Sequence, residues 1–198
     1  MGHLASGYLA GKAAGKILKV NSNIPLLLLV SVIPDIDILI PGLEHRGPTH
    51  SIVTFIILLI PAGLLYRKKA VPYFIALIQH SLIGDYLTGG TQLLWPLTSQ
   101  IYGVEVEITS LPNVLLECGL FLTSMVLMLK TRDICLLFQH HRSNLLLFIP
   151  LSTVLMPTFL NFPTHVPLEL LIPHLTYLTL FTLSIIVDLK TILSHSVF

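Results

Sequence analysis

Two short stretches of this chain carry the side chains best suited to chemistry: Pro34-Asp35-Ile36-Asp37, and His45-Arg46-Gly47-Pro48-Thr49-His50-Ser51. The first lies inside a long apolar run and the second follows it directly. His80 and Asp85 lie within another apolar run, and His3 stands near the start. Only 11% of residues are charged, and the mean hydropathy is +0.84, so carboxylates inside apolar runs are conspicuous. A charge at membrane depth costs on the order of 2.5–3.5 kcal/mol, so Asp35, Asp37 and Asp85 together cost roughly 7–10 kcal/mol at most. A surface-type ion pair returns about 0–1 kcal/mol, too little to offset this. Protonation would offset it, and so would a divalent cation, since structural zinc reaches ~10 kcal/mol. Mixed imidazole and carboxylate donors suit Zn²⁺ first and Mn²⁺ or Fe²⁺ after it, ahead of Ca²⁺ or Mg²⁺. Such an ion polarises a phosphoryl or carbonyl oxygen and makes a nucleophile of water near neutral pH.

These residues must be positioned by membrane helices. With 198 residues of which 54% are hydrophobic, the chain reads as one all-α domain over 1–198. It is expected to be a polytopic integral membrane bundle of six or seven transmembrane helices. Apolar spans fall at about 24–43, 52–66, 71–88, 112–129, 145–160 and 166–187, judged against the ~20 residues a bilayer needs. The net charge of +1 and the lack of a basic stripe argue against nucleic acid as a partner. Cys118 and Cys135 form no close pair that would suggest a zinc ribbon or a disulfide framework. No signal-peptide pattern precedes the first run, so the chain is expected to be retained whole.

Lys12, Lys16 and Lys19 precede the first span, Arg67, Lys68 and Lys69 follow the second, Lys130, Arg132 and Arg142 follow the fourth, and Lys190 follows the last. The positive-inside rule places those loops in the cytoplasm and the His45–Ser51 loop outside, in a cell-membrane protein. At 1.5 Å per residue, Asp35 and Asp37 then lie about 17–20 Å above the inner end of their span, with His80 and Asp85 about 14 and 21 Å above theirs. Acids and histidines thus converge at one outer region. Gly7, Gly11 and Gly15 recur every four residues, with His3 on the same face, a stripe that lets helix backbones approach closely. If 3–19 forms a hairpin with 24–43, His3 rises beside Asp37. Lys12 is the objection to that arrangement, unless its stem snorkels toward the interface.

The order Pro34-Asp35-Ile36-Asp37, His45-Arg46-Gly47-Pro48-Thr49-His50-Ser51, His80 to Asp85-Tyr86-Leu87-Thr88, then Gln92-Leu93-Leu94-Trp95-Pro96, with His3 near the start, resembles a known family. It is the family of LexA-regulated, membrane-bound predicted metal-dependent hydrolases, distantly similar to zinc-dependent phospholipase C, and the resemblance covers about residues 1–100. It implies His3, Asp37, His50, His80 and Asp85 as metal ligands, with Asp35 and His45 close by. One departure stands out. The family pattern is His-x-x-x-Asp, whereas His80 and Asp85 are five apart, about 140° around an ideal helix. Either a π-bulge near Gly84 resets the phase or only one of the two residues ligates.

The expected function is a membrane-embedded metal-dependent hydrolase that acts on a lipid-borne ester, most plausibly a phosphoester, through a metal-activated water. Its partner is then a membrane lipid or lipid-linked phosphoester. Asp35 or His45 is expected to manage the proton, and Arg46 to orient the anion, because guanidinium matches phosphate geometry. The competing expectation is a transporter or metal-sensing membrane protein, since intramembrane acids and histidines also build ion pathways. The nearly pure hydrocarbon of the inner half-spans argues against a through-path, and a degenerate structural homologue is the third reading. Glu117, Glu169 and His165 are accessory candidates that read more simply as interfacial groups. His174 reads as a helix-packing residue and His140 and His141 as solvated. Trp95 and Tyr102 fit an aromatic belt, and Thr49 and Ser51 suit helix caps better than nucleophiles.

Overall fold

The computed structural model describes residues 1–156 and 166–195; the His165 candidate falls outside these. Helix α1 (Gly2–Leu18) ends at Lys19, whose left-handed backbone (φ 54) returns its N–H to Gly15 and Lys16 carbonyls. Asn23 then caps α2 (Ile24–Val30), its Oδ1 accepting the Leu26 N–H at 2.9 Å, with Pro25 in the first turn. The expected 24–43 span is not one helix. Pro34 lacks an N–H and disfavours a helical residue before it, so α2 stops and Ile33–Leu39 continues as a 3₁₀ turn.

After a further 3₁₀ turn at Pro48–His50, Ser51 caps α3 (Ile52–Tyr66), its Oγ accepting the Val53 N–H at 3.1 Å. Helix α4 (Val71–Gln79) runs without a break into a π-helical turn at His80–Asp85. Of the two readings of the five-residue His80–Asp85 spacing, the phase-resetting turn is the one observed. The segment from Thr88 to Ser110 is non-helical and folds on itself through the Thr91–Tyr102 bridge. Its Leu93 carbonyl accepts the Ile52 N–H at 3.0 Å, and the Gln92 N–H reaches the Arg46 carbonyl at 3.1 Å. The His45–Ser51 loop is thereby clamped from outside.

The second half contains α5 (Leu111–Lys130), α6 (Asp133–Leu137), α7 (Phe148–Pro150) with 3₁₀ and π turns on either side of it, and α8 (Leu171–His195). Among the described residues, two helical stretches are long and apolar enough to cross a membrane, Leu111–Lys130 and Leu168–Ser194. Both are largely exposed, as is α3 through Ile57, Leu58, Leu64 and Leu65. Helix α1 packs on α2, α4 and α5. A Cβ on Gly7 would strike the Ser31 side chain, and one on Gly11 would strike Leu27. The glycine stripe is therefore the surface that admits α2. Leu4, Tyr8, Leu27, Leu28, Phe121, Tyr177 and Phe181 fill the core. Lys12 does not face hydrocarbon: its Nζ lies 2.7 Å from Asp133 Oδ2, which also accepts the Tyr8 hydroxyl at 2.7 Å.

Candidate metal centre

The end of α2 and the π turn build the site together. Because α2 stops early, the Ser31 carbonyl is left to accept the His80 Nδ1–H at 2.8 Å. That bond fixes the tautomer and turns His80 Nε2 inward as a lone-pair donor. His50 is fixed by a relay. Thr49 Oγ1 donates to Asp37 Oδ2 at 2.8 Å and accepts from His50 Nδ1 at 2.9 Å. His50 Nε2 is therefore the atom that faces the site. The Thr49 hydroxyl serves the histidine here, while Ser51 caps the following helix.

Between the two imidazoles lie two carboxylate oxygens. Asp35 Oδ1 is 3.5 Å from His50 Nε2 and 3.4 Å from His80 Nε2, and Asp85 Oδ2 is 3.4 Å from each. All four side chains are buried. These separations are long for charge-assisted hydrogen bonds, which run about 2.7–2.9 Å. They match the spacing of neighbouring donors around a tetrahedral ion, about 3.3–3.6 Å for ligands at 2.0–2.2 Å. His50 Nε2, His80 Nε2 and Asp85 Oδ2 have no hydrogen-bond partner at all. Buried polar atoms are normally paired, and leaving one unpaired costs about 1–3 kcal/mol. The residues present therefore fit a divalent transition metal. Burial pulls the His50 imidazole pKa down, but the surrounding carboxylates of Asp35, Asp37 and Asp85 outweigh this and raise it to about 9. Any cation at Nε2 must displace a proton there near neutral pH, so binding weakens in acid.

Of the residues expected as ligands, His3, His50, His80 and Asp85 come together around Asp35, and Asp37 lies on the Nδ1 side of His50. Asp35 occupies the place between the histidines, while Asp37 stands behind them. Asp37 accepts from His45 Nδ1 at 3.0 Å, from the Arg46 N–H at 3.3 Å and from Thr49, and lies 3.3 Å from His50 Nδ1. Asp37, His45 and His50 also form a grouping able to hold an ion, as do His3, His80 and Asp85. His3 stacks on His80, ring centroids 4.0 Å apart, with Nε2 3.7 Å from Asp85 Oδ1. A Cβ on Gly84 would collide with the His3 ring, so that glycine both eases the π turn and makes room for His3. Arg46, in a left-handed conformation (φ 65), donates to the Thr88 carbonyl at 2.7 Å and Thr88 Oγ1 at 3.3 Å. Its Nε lies 3.4 Å from Asp85 Oδ1, so the guanidinium is held between Thr88 and Asp85.

A cavity of about 180 Å³ adjoins these residues and is lined by His3, Asp35, His45, Arg46 and Asp85 on its polar side. Glu117 and His174 also line it. Glu117 accepts the Gly2 N–H at 3.1 Å and His174 Nε2 donates to the Leu155 carbonyl at 2.8 Å, whereas Glu169 is exposed. Sequence reasoning did not find Asp188, a buried carboxylate that accepts from His140 Nδ1 and from the His141 N–H, both at 2.8 Å. His140 is thus paired rather than merely solvated. An acid at a span end opposite a basic loop was the available signal.

Comparison with curated proteins and with solved structures gave no match. The family model described as YdjM inner membrane protein matches residues 1–162, which include every residue of the site. On that match, this chain belongs to the YdjM inner membrane protein family.

Proposed function

We propose that the chain is a membrane-embedded metal-dependent hydrolase of lipid-borne phosphoesters, with Asp35, His50, His80 and Asp85 holding one divalent transition metal, Zn²⁺ foremost. The observation that carries the reading is the closed ring of 3.4–3.5 Å separations among four donor atoms, three of which lack hydrogen-bond partners. When bound, such a metal polarises a phosphoryl oxygen and lowers the pKa of water. The chain's residues account for the rest. His45, oriented through Nδ1 by Asp37, takes the proton from the attacking water and returns it to the leaving alkoxide as the phosphorus–oxygen bond breaks. Arg46 holds Asp85 in place and turns its remaining N–H groups to the anion. His3 completes the centre beside Asp85.

The chain is read as a single domain with six or seven crossings, several of them made by short or broken helices. The site faces the extracytoplasmic side, because lysine and arginine collect in the alternate loops. Hydrolysis of bis(4-nitrophenyl) phosphate by the zinc-loaded, detergent-purified protein tests the reading. Turnover that disappears in a folded His50→Ala variant supports it. Zinc binding with turnover neither of this ester nor of phosphatidylglycerol in vesicles, or full turnover in the variant, contradicts it.

A further inference from the structure

The cavity beside the metal centre has two unlike walls. Its polar wall carries the cage carboxylates, His45 and Arg46, which suit an anionic group. Its other wall is mainly apolar, with Ile83, Leu116, Leu120 and Leu170, though Glu117 and His174 also reach the cavity. Ile83 and Leu116 both line the cavity and are 52% and 47% exposed, so the cavity reaches accessible surface beside them. Ile83 lies in the π turn and Leu116 in α5, a helix long and apolar enough to cross a membrane. The volume sets a second limit. At about 180 Å³ the cavity is below the roughly 300–1,000 Å³ that encloses a drug-sized ligand. It accommodates a headgroup but not two acyl chains.

Building on the hydrolase reading, we infer that the cavity opens sideways between Ile83 and Leu116, and that its ligand is a glycerophospholipid whose phosphodiester reaches the metal centre while its acyl chains stay in the bilayer. The apolar passage favours the glycerol end of a lipid over a fully hydrated soluble phosphoester, whose polar groups would lose their water without gaining partners. Charge complementarity fixes the orientation, phosphate toward Arg46 and methylenes toward Leu116.

The test uses the full-length, zinc-loaded protein in vesicles containing phosphatidylglycerol with a diazirine near the carboxyl end of one acyl chain. After irradiation, labelled residues are mapped by mass spectrometry. Label is expected at Leu120 and at Leu170, which is only 3% exposed and lines the cavity. Ile83→Trp and Leu116→Trp, which narrow the proposed opening, should each lower that label about tenfold. Label at Leu183, exposed on α8, should stay unchanged and reports an intact fold. Label confined to exposed residues such as Leu122 and Leu183, or Leu170 label indifferent to both substitutions, overturns the lateral opening. Soluble bis(4-nitrophenyl) phosphate separates the two readings. Its turnover without label at Leu120 and Leu170 overturns lipid entry and leaves the hydrolase standing. Label there without turnover of this ester or of the lipid supports the opening and overturns the hydrolase.

Discussion

Two polar clusters in this molecule are built on buried aspartates and treat them in opposite ways. At Asp133, one carboxylate oxygen meets Lys12 Nζ and the Tyr8 hydroxyl, each at 2.7 Å. At Asp35, His50, His80 and Asp85, the corresponding separations are 3.4–3.5 Å, and three of the donor atoms have no hydrogen-bond partner. Protein groups complete the first cluster, which ties α1 to the start of α6. The second is held just as firmly from behind, by Ser31, Thr49 and Asp37, but its centre has the spacing of metal ligands. The lesson is that burial alone does not mark a site. The mark is a set of rigidly backed donors whose front atoms do not bond one another.

The comparison breaks most sharply at the front atoms. His50→Ala and His80→Ala should each lower zinc affinity by about 100-fold or more, if four ligands share the ~10–16 kcal/mol of a structural zinc site; calorimetric titration measures this. Behind the front atoms, Thr49→Val removes the relay to His50 Nδ1 and should cost about 10–100-fold in the same titration, with Thr49→Ser restoring most of the loss. Gly84→Ala should displace the His3 ring and weaken zinc binding about tenfold. In a His3→Ala background the same change should cost almost nothing, a coupling that a double-mutant cycle reads directly. The opposite behaviour is expected at the inner cluster. Asp133→Asn should lower thermal stability by about 1–3 kcal/mol, reduced from the fully buried case because Lys12 is partly exposed, and leave zinc stoichiometry unchanged. A loss of zinc in Asp133→Asn would erase the distinction between the clusters.

Much of this was legible in the sequence. Spans 52–66 and 112–129 correspond closely to α3 and α5, because long, mostly apolar runs closed by Arg67 and Lys130 leave little choice. The association of His3, His50, His80 and Asp85 was also legible, since their depths agree under one topology. The π turn at 80–85 was one of two open options, as spacing gives the phase error but not the way the backbone absorbs it. The roles of Asp35 and Asp37 were less accessible. Two residues apart on a short segment, they point in different directions, and which one faces His80 depends on where α2 ends. Pro34 announces that break, but the 3₁₀ turn that follows sets the facing. The Lys12–Asp133 pair joins residues far apart in sequence and needs the fold to bring them together. Asp188 was hidden for the same reason.

The central claim is that Asp35, rather than Asp37, stands in the metal centre. The most direct measurement is the zinc content of the detergent-purified protein after dialysis against excess zinc, comparing wild type with folded Asp35→Ala and Asp37→Ala. The account predicts that wild type binds zinc, that Asp35→Ala loses it, and that Asp37→Ala retains it at saturating zinc with affinity weakened about 10–100-fold, as for a residue supporting a ligand from behind. Wild type without zinc, or Asp35→Ala holding as much as wild type, would contradict it.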